Sequence, residues 1–561
     1  MDHPPTGRFR GVFVEFNIAQ VFGAVAAANP DRECIIFGDR RFTFAQTDER
    51  ARRLAHVLHG WGLGAHRERS ELAPHESGQS HLGLYLANGN EFLEGMLGAY
   101  RARVAPFNVN YRYVADELRY LLTNARAEAV MYHARFAPTL AEVLPSLPPM
   151  SLIHVDDDSG NAPLPGAVRY EELLASASPE PLDLPLSPDD LYMLYTGGTT
   201  GMPKAVLWRQ HDIYMNAMGG RFYGTSSALA SLEEIVERSR LGGPGSMTVT
   251  PLMHGAAQWA SFINLCAGRP IVLPATTTHF DPAEAWALVS REHVVTLSIV
   301  GDAFGRPLVD ALEAGGPSLV RDLSGLMVLV TGGAALTAPV KQRFVDLLPQ
   351  LTIVDAGGAS ETGPQMGGVF SRTQPVTGRF APHPGAVVVS EDMTRIITPG
   401  DTEIGWLAQQ GCIPLGYLDD AEKTARTFRV IEGIRHSIPG DRARWHADNQ
   451  IELLGRDSVT INSGGEKIFV EEVEAAIARH PAVYDVVVVG RPSARWGSEV
   501  VALVQLVAGA HADAQDIVAE AARHIARYKL PKDVVFCSRL QRAPSGKADY
   551  VWAKNQVTAA V

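Results

Sequence analysis

The stretch Tyr195-Thr-Gly-Gly-Thr-Thr-Gly-Met-Pro-Lys204 joins two apolar runs of the chain, residues 191–195 and 205–208. Its glycines allow the backbone to approach an anion closely and to turn N–H groups toward it. Its threonine hydroxyls add donors, and Lys204 adds a positive charge. The stretch therefore predicts a phosphate-binding loop after a strand. It is not a Walker A loop, because Met202 stands where that motif needs its second glycine and Ala205 follows the lysine.

The composition indicates a globular enzyme. The chain has 561 residues, enough for several domains, with 46% hydrophobic and 20% charged residues. Its net charge of −12, from 62 acidic and 50 basic residues, argues against a nucleic-acid-binding protein that relies on bulk charge. A local basic site for an anion remains compatible with that charge.

Cysteine usage and the apolar runs predict the compartment. Residues 1–15 contain no continuous apolar run of the kind found in signal peptides, and no stretch approaches ~18 uninterrupted apolar residues. The cysteines lie far apart without a Cys-x-x-Cys pair, which favours reduced thiols over a disulfide framework or a zinc site. We therefore expect a cytoplasmic protein without a transmembrane segment. The four cysteines are Cys34, Cys266, Cys412 and Cys537.

Strand-like apolar runs alternate with segments of helical periodicity over most of the chain. Residues 34–37 and 41–44 predict a hairpin, and residues 45–61 predict a helix. Such alternation predicts an α/β fold with βαβ units and a largely parallel sheet. Residues 64–80 are polar and aperiodic, and they predict a surface loop or insertion.

The last part of the chain is predicted to be a separate, smaller α/β unit. The apolar run before Gly455-Arg-Asp-Ser458 ends there, which favours a domain boundary. We therefore predict a large N-terminal domain over residues 1–455 and a small C-terminal domain over residues 456–561. The small domain is predicted to contain helices at 470–479 and 513–527 and strands at 483–489 and 500–506.

Four further strings carry candidate functional groups. Gly357-Gly-Ala-Ser-Glu-Thr-Gly363 follows an apolar run and holds Glu361, whose carboxylate suits Mg²⁺. Ile438-Pro-Gly-Asp441 places a carboxylate where it could accept hydrogen bonds from a ribose diol. The other two strings are Gly455-Arg-Asp-Ser-Val-Thr-Ile-Asn-Ser-Gly-Gly-Glu-Lys467 and Pro544-Ser-Gly-Lys547. Taken alone, a loop glutamate is usually solvated, an aspartate after Pro-Gly usually caps a turn, and a lysine in a Ser-Gly turn is ordinarily solvated.

Together, in this order and spacing, the five strings resemble the acyl-adenylate-forming (AMP-binding) superfamily, which includes acyl-CoA synthetases, luciferases and the adenylation domains of peptide synthetases. The resemblance covers about residues 16–554. It implies a large N-terminal α/β domain with subdomains, a small mobile C-terminal α/β domain, and an active site between them. It also implies two half-reactions. A carboxylate attacks the α-phosphate of Mg·ATP to give an acyl-adenylate and pyrophosphate, and a thiol such as that of CoA then expels AMP.

The resemblance assigns roles for the first half-reaction. Residues 196–204 would hold the β- and γ-phosphates, Glu361 would ligate Mg²⁺, and Asp441 with Arg456 would bind the ribose. Lys547 would bridge the substrate carboxylate and the α-phosphate, where charge develops in the transition state. Lys547, Glu361 and Thr196 are the expected catalytic residues. The expected ATP and AMP contacts are Thr196, Gly197, Gly198, Thr199, Thr200, Lys204, Gly333, Ala334, Gly357, Gly358, Ser360, Glu361, Thr362, Asp441, Arg456 and Lys547.

The resemblance also assigns the thioester step. The small domain would rotate about a hinge at Asp457 and Ser458, withdraw the adenylation lysine and bring Gly464 and Gly465 to a pantetheine tunnel. His254 and Gly332 would line the acyl and CoA channels. Alternatively, His254 is a buried core histidine, and residues 332–334 are a plain turn at the end of a strand.

One departure from the family pattern concerns adenine, because Gly357 stands where the family usually has an aromatic residue. Either the adenine stacks on backbone there, or another side chain fills the gap.

The class of acid substrate is narrowed by residues 252–266, which contain no acidic residue. Amino-acid-activating members of the family carry an aspartate in this segment, at the position of Gly255, to hold the ammonium group of the substrate. A buried ammonium without a partner is costly, so an amino acid substrate is disfavoured.

Two strings, Trp208-Arg-Gln-His-Asp-Ile213 and residues 461–467, resemble actinobacterial fatty-acyl and steroid side-chain CoA ligases. They favour a long or bulky lipophilic acid. Medium-chain or aryl acids, a carrier-protein acceptor and a non-catalytic nucleotide-binding homologue stay as alternatives. The expected ligands are ATP, Mg²⁺, CoA and a small carboxylic acid, without nucleic acid, and peripheral membrane contact and a homodimer stay open.

Overall fold

The computed structural model describes residues 14–198, 201–221, 227–374, 378–463, 466–493, 496–543 and 546–559. Helices and strands alternate through its first part, as the apolar patterning predicts. The elements up to residue 209 are α1 (Ile18–Ala28), β1 (Glu33–Phe37), β2 (Arg40–Thr43), α2 (Phe44–Gly60), β3 (His81–Tyr85), α3 (Asn90–Arg101), β4 (Ala105–Asn108), α4 (Ala115–Asn124), β5 (Ala129–His133), α5 (Ala137–Val143), β6 (Ser151–Val155), β7 (Val168–Arg169), α6 (Tyr170–Ser176), β8 (Leu191–Gly198) and β9 (Gly201–Arg209).

The alternation continues to residue 382 and then gives way to short strands. Helix α11 contains a break at Gly316, where the backbone leaves the helical conformation. The elements are α7 (Gln210–Ala217), α8 (Leu232–Leu241), β10 (Ser246–Thr248), α9 (Gly255–Cys266), β11 (Ile271–Leu273), α10 (Pro282–Arg291), β12 (Thr296–Ile299), α11 (Gly301–Asp322), β13 (Val328–Gly332), α12 (Ala338–Leu347), β14 (Thr352–Ala359), β15 (Gly363–Phe370), β16 (Ala381–Pro382), β17 (Ala386–Val389), β18 (Gly405–Gln410), β19 (Gly416–Tyr417), α13 (Ala421–Thr427), β20 (Phe428–Ile431), β21 (Ile434–Ser437), β22 (Asp441–Trp445) and β23 (Ile451–Arg456).

Two large sheets and one smaller sheet form this N-terminal part. The first sheet has the order β19-β9-β8-β4-β3-β5-β6-β7, and β3 to β8 are parallel to one another. The second has the order β16-β15-β14-β13-β12-β10-β11-β1-β2, and its six central strands are also parallel. The third sheet, β20-β21-β18-β22-β23 with β17 beside β18, is antiparallel. The predicted α/β class with largely parallel sheets is confirmed.

The C-terminal part has a sheet of its own, β26-β27-β28, and a hairpin, β24-β25. Two hydrophobic clusters, with members from residue 459 to residue 557, form its core separately from the N-terminal clusters. These separate cores support our proposal that the boundary lies between residues 455 and 456. The elements are β24 (Ile461–Ser463), β25 (Glu466–Ile468), α14 (Val470–Ile477), β26 (Val483–Ser493), β27 (Gly497–Leu506), α15 (Ala514–Ala522), β28 (Asp533–Phe536) and α16 (Tyr550–Ala559).

Local sequence signals locate most of the predicted elements, but one helix was predicted too long. Helix α2 starts where Thr43 and Gln46 form a capping box. The helix predicted over 513–527 ends at Ala522, because the chain turns there and Ala526 is already extended. Residues 64–80 form a loop, as predicted, and this loop contains a short 3₁₀ turn and a backbone bridge between Ala65 and Gln79. No helix among the described residues is long and apolar enough to cross a membrane.

Candidate active site

The described parts of the predicted phosphate loop, residues 195–198 and 201–204, lie at the end of a β-hairpin. Thr196 pairs with Lys204 across β8 and β9, and the backbone of Gly198 pairs with that of Gly201. Gly197 belongs to β8, whereas Thr199 and Thr200 lie outside the described residues. The predicted phosphate loop therefore joins two antiparallel strands, unlike a Walker A loop, which leads into a helix.

The side chain of Lys204 is held by a carboxylate that is distant in sequence. Lys204 Nζ lies 2.5 Å from Asp420 Oδ2, and Asp420 follows β19, the neighbour of β9. Burial acts to raise the pKa of Asp420, but hydrogen bonds from Lys204 and from the backbone N–H of Lys423 lower it overall. Asp420 is therefore ionised at neutral pH, and the partial exposure of the pair leaves Lys204 accessible to a ligand.

A buried asparagine fixes the start of the hairpin. Asn108 Nδ2 donates to the carbonyl oxygens of Tyr195 at 2.9 Å and Met253 at 2.7 Å. Asn108 Oδ1 accepts from the Tyr195 N–H at 2.8 Å. One side chain thus joins the phosphate hairpin to the turn that contains His254.

The string 357–363 forms a second hairpin, between β14 and β15. Thr362 Oγ1 accepts from the Ala359 N–H at 3.0 Å and stabilises its turn. Trp208 Nε1, from β9, donates to the Ser360 carbonyl at 2.9 Å, and Ser437 Oγ donates to the Glu361 carbonyl at 2.6 Å. The turn is therefore joined to the first and third sheets, which places Glu361 beside the phosphate hairpin.

The Glu361 carboxylate is oriented by a tyrosine. Tyr417 OH donates to Glu361 Oε1 at 2.9 Å. Burial raises the pKa of Tyr417 above its usual value, and the charge of Glu361 raises it further. The phenol therefore stays protonated and remains a donor to the carboxylate.

The place of the missing aromatic residue is occupied by a methionine. Gly357 pairs with Met366 across β14 and β15. A Cβ at position 357 would lie 2.5 Å from Met366 Cε, and Met366 is buried. Of the two alternatives left open by the sequence, the structure therefore favours another side chain filling the gap.

Asp441 and Arg456 lie opposite each other on β22 and β23. Arg456 Nε donates to Asp441 Oδ1 at 3.1 Å, which leaves the other carboxylate oxygen available for a second partner. The next residues, Asp457 and Ser458, belong to the 3₁₀ turn Asp457–Val459 between the two domain cores. Their assignment as a hinge stays a prediction.

Lys547 lies in a tight turn whose ends are hydrogen-bonded. The Ala543 N–H donates to the Lys547 carbonyl, and the Gly546 N–H donates to the Ala543 carbonyl, both at 2.8 Å. Arg542 donates to the Gly546 carbonyl at 3.2 Å and to both oxygens of Asp485 on β26, at 2.9 and 2.6 Å. The turn is therefore anchored to the small domain, although Pro544 and Ser545 lie outside the described residues.

This turn contacts the N-terminal domain at the start of α11. A Cβ at Gly546 would lie 3.1 Å from Val300 Cγ1 and 3.3 Å from Ala303 Cβ. Val300 also lies 3.7 Å from the Cβ position of Gly333, within the predicted segment Gly332 to Ala334. The lysine turn and this segment therefore share one wall of the cleft.

Lys547 lies within electrostatic reach of the other predicted groups. Burial lowers its pKa, repulsion from Arg456 lowers it further, and attraction from Glu361 and Asp441 opposes the shift. The surface of the Lys547 side chain is nevertheless exposed to solvent, although protein atoms of both domains surround it. The structure thus gathers four predicted residues from strings that span residues 361–547.

His254 lies at the same cleft as a neutral imidazole. Its Nε2 is buried without a hydrogen-bond partner in the structure. Burial, followed by the positive charges of Lys547 and Arg112, lowers its pKa to about 4. An unpartnered polar atom near Lys547 is more consistent with a channel-lining residue than with a satisfied core histidine. Gly464 and Gly465, predicted for the thioester step, lie outside the described residues.

Sequence reasoning missed the cluster Tyr417, Asp420 and Lys423. All three occur in the string Gly416-Tyr-Leu-Asp-Asp-Ala-Glu-Lys-Thr424, which was not singled out. The available signal was weak: an aspartate before a short helix is normally a cap, and Asp420 does cap α13 by accepting from the Lys423 N–H at 2.9 Å.

The donor set fits Mg²⁺ bound together with a nucleotide. Among the described residues, there is no group of three or more histidine, cysteine, aspartate or glutamate side chains that could hold a metal ion by itself. Mg²⁺ commonly uses one or two carboxylates and takes its other ligands from phosphates and water. A single half-buried carboxylate, Glu361, beside a phosphate hairpin satisfies that requirement.

Comparisons with known proteins agree with the geometry. A model described as AMP-binding enzyme matches residues 22–413, and one described as AMP-binding enzyme C-terminal domain matches residues 472–547. The medium-chain acyl-CoA ligase Mig of Mycobacterium avium is 55% identical over 96% of this chain and 98% of its own length. A 3-oxocholest-4-en-26-oate–CoA ligase of Rhodococcus rhodochrous is 38% identical over 96% of each chain.

Solved structures share the fold. The anthranilate CoA ligase AuaEII, in complex with anthranoyl-AMP, has a TM-score of 0.80 at 18% identity over 98% of each chain. A Mycobacterium tuberculosis fatty acyl CoA synthetase has a TM-score of 0.68 at 22% identity, over 97% of this chain and 99% of its own. The predicted large and small α/β domains are thereby confirmed.

Proposed function

Because the chain belongs to the family of AMP-binding enzymes, we propose that it is an AMP-forming acid–CoA ligase with the two half-reactions set out above. The observation that carries this proposal is that Lys547, from the small domain, lies within electrostatic reach of Glu361 and Asp441 of the large domain and of Arg456 at the domain boundary. In this arrangement Lys547, the proposed adenylation lysine, would lie at the proposed nucleotide site. The structure therefore suits the first half-reaction, and the second requires the small domain to move.

We propose the following division of labour among the residues. Asp441 and Arg456 bind the ribose, and the hairpin with Lys204 holds the β- and γ-phosphates. Lys547 neutralises the charge that develops between the incoming carboxylate and the α-phosphate. Glu361 would hold Mg²⁺, which supplies charge neutralisation on the phosphates. The side chain of Met366, which fills the place of the family's usual aromatic residue beside Gly357, would pack near the adenine.

We propose that the acid is lipophilic. Position 255 is a glycine without an ammonium-binding carboxylate, and a side chain there would require Leu194 to move, because its Cβ would lie 2.7 Å from Leu194 Cδ2. The ligase named for medium-chain acids, at 55% identity, supports a fatty acid of medium to long chain. A steroid side-chain acid is the second candidate, supported by the relative at 38% identity.

The location and association of the protein are further proposals. The four free thiols support a cytoplasmic location. Peripheral membrane contact and a homodimer stay predictions, which vesicle sedimentation and light scattering would test.

The proposed function is tested by pyrophosphate release across fatty, aryl and steroid acids, with and without CoA. We expect release with medium- to long-chain fatty acids, and acyl-CoA and AMP only when CoA is present. If acyl-adenylate accumulates in the presence of CoA but its acyl group is transferred to a carrier protein, the acceptor is a carrier protein rather than CoA. AMP formation with none of the acids would contradict the enzyme assignment.

Replacing Asp420 with asparagine is expected to lower the KM for ATP. Asparagine can still accept from the Lys423 N–H and cap α13, but it no longer neutralises Lys204. A partly exposed ion pair contributes about 0.2–1 kcal/mol, so the KM should fall about 1.5- to 5-fold. Steady-state kinetics would measure this, with Asp419→Asn as the matched control, because Asp419 pairs with Arg126 instead. An increase in the KM would show that Asp420 supports, rather than competes with, phosphate binding.

A further inference from the structure

A second lysine lies beside the phosphate hairpin. Asp420 contacts two lysines: its Oδ2 lies 2.5 Å from Lys204 Nζ, and its Oδ1 accepts from the Lys423 backbone N–H at 2.9 Å. The side chain of Lys423 is half-buried, although lysine is a residue type that normally extends into solvent.

The ammonium group of Lys423 has a defined position. Its Nζ lies 4.1 Å from the ring centroid of Tyr417, a cation–π contact. The hydroxyl of the same tyrosine donates to Glu361 Oε1. One aromatic ring therefore links Lys423 to the predicted Mg²⁺ ligand.

The electrostatic surroundings show that Lys423 belongs to this site. Burial lowers the pKa of Lys423, the charge of Lys204 lowers it further, and Glu361 and Asp420 oppose both effects. Its helix neighbours behave differently: Arg426 and Glu422 are exposed and lie 4.0 Å apart. Lys423 is thus directed toward Tyr417 and Glu361, whereas Glu422 and Arg426 of α13 face solvent.

Four charged side chains compensate one another before a nucleotide enters: Lys204 and Lys423 are matched in formal charge by Asp420 and Glu361. Glu361 also attracts Lys547 and Arg456, so it is shared with them. If Glu361 engages Mg²⁺, Lys423 loses part of its charge compensation at the moment when a triphosphate arrives. A partly desolvated ammonium is then stabilised by a phosphate oxygen.

We propose that Lys423 is a second cationic contact for the β- and γ-phosphates of ATP and for the pyrophosphate that leaves. This rests on the proposed function for the identity of the nucleotide. Two lysines on different elements, β9 and α13, would grip the leaving group from two sides. Asp420, between them, acts as an internal counter-ion that the phosphates displace.

The test compares ligands with and without β- and γ-phosphates. Calorimetry would measure the affinity of the full-length protein for Mg²⁺ with α,β-methylene-ATP, for pyrophosphate and for AMP. For Lys423→Gln we expect the affinity for the ATP analogue and for pyrophosphate to fall about tenfold, which is the lower end of the free-energy range for a hydrogen bond to a charged group. The affinity for AMP should be unchanged. Lys423→Arg should retain most of the affinity. Arg426→Gln, the same charge change on the exposed side of α13, should alter none of the three.

The contrary results are distinct from those that test the proposed function. Equal losses for AMP and the ATP analogue would show that Lys423 only supports the fold of the cleft. An unchanged affinity for pyrophosphate in Lys423→Gln would also overturn the proposal. Since these measurements need no acid, they stand even if no acid in the panel is adenylated. Melting temperatures within a few degrees of the parent would exclude unfolding as the cause of a loss.

Discussion

Lys547→Ala is expected to abolish acyl-adenylate formation while sparing thioester formation from a supplied acyl-adenylate. Lys547 lies among Glu361, Asp441 and Arg456, where the carboxylate and the α-phosphate would meet. Removing one group that stabilises transition-state charge costs about 10²–10³-fold in rate. We expect the thioester step to need no such group, because we propose that the small domain withdraws the lysine before that step.

The two steps can be measured separately. Pyrophosphate exchange reports the first, and acyl-CoA formation from synthetic acyl-adenylate reports the second. Lys532→Ala is a suitable control, because Lys532 is an exposed lysine of the same domain. If both half-reactions fell by the same factor, Lys547 would have no special role in adenylation.

Gly546→Val is expected to impair the same half-reaction through geometry rather than charge. A Cβ at this position would lie 3.1 Å from Val300 Cγ1 and 3.3 Å from the Val300 carbonyl oxygen, so the turn must move away from α11. The backbone also has φ +77°, a conformation that favours glycine. A displacement of about 1 Å in a positioned group can cost about 10²-fold, and we expect a loss of that order in pyrophosphate exchange.

A second glycine separates docking from backbone strain. Gly509 has φ +78°, and a Cβ there meets nothing within 4 Å. Gly509→Val should therefore lose stability to a similar extent but keep normal adenylation. Thioester formation from acyl-adenylate should survive in both variants. Equal adenylation in the two valine variants would contradict the role of the contact between Gly546 and Val300.

The domains and motifs could be predicted because their signals are local. The glycines and Lys204 of residues 195–204 constrain one hairpin through their own conformations and charges. Helix α2 could be placed by its periodicity and by its Thr43 cap. Helix α15 was predicted too long, because periodicity alone does not show where the chain turns after Ala522.

The partners of the motif residues could not be predicted in this way. Asp420 meets Lys204 across 216 positions of sequence, because β19 adds to the edge of the first sheet beside β9. Met366 fills the place of the missing aromatic because the register of β14 and β15 pairs it with Gly357. Neither register nor sheet order has a signal within a short window of sequence.

By itself, then, the stretch Tyr195 to Lys204 with its four companion strings determined the family, the two-domain α/β fold and the types of group that handle ATP. Such properties depend on residue types and on short spacings along the chain, both of which can be read directly from the sequence. The tertiary structure alone decided that Lys547 lies within electrostatic reach of Glu361, Asp441 and Arg456, and that Tyr417 joins Lys423 to Glu361. Those relations arise when sheets pack edge to edge and the small domain docks, because electrostatic and hydrogen-bond energies depend on distances through space rather than along the chain.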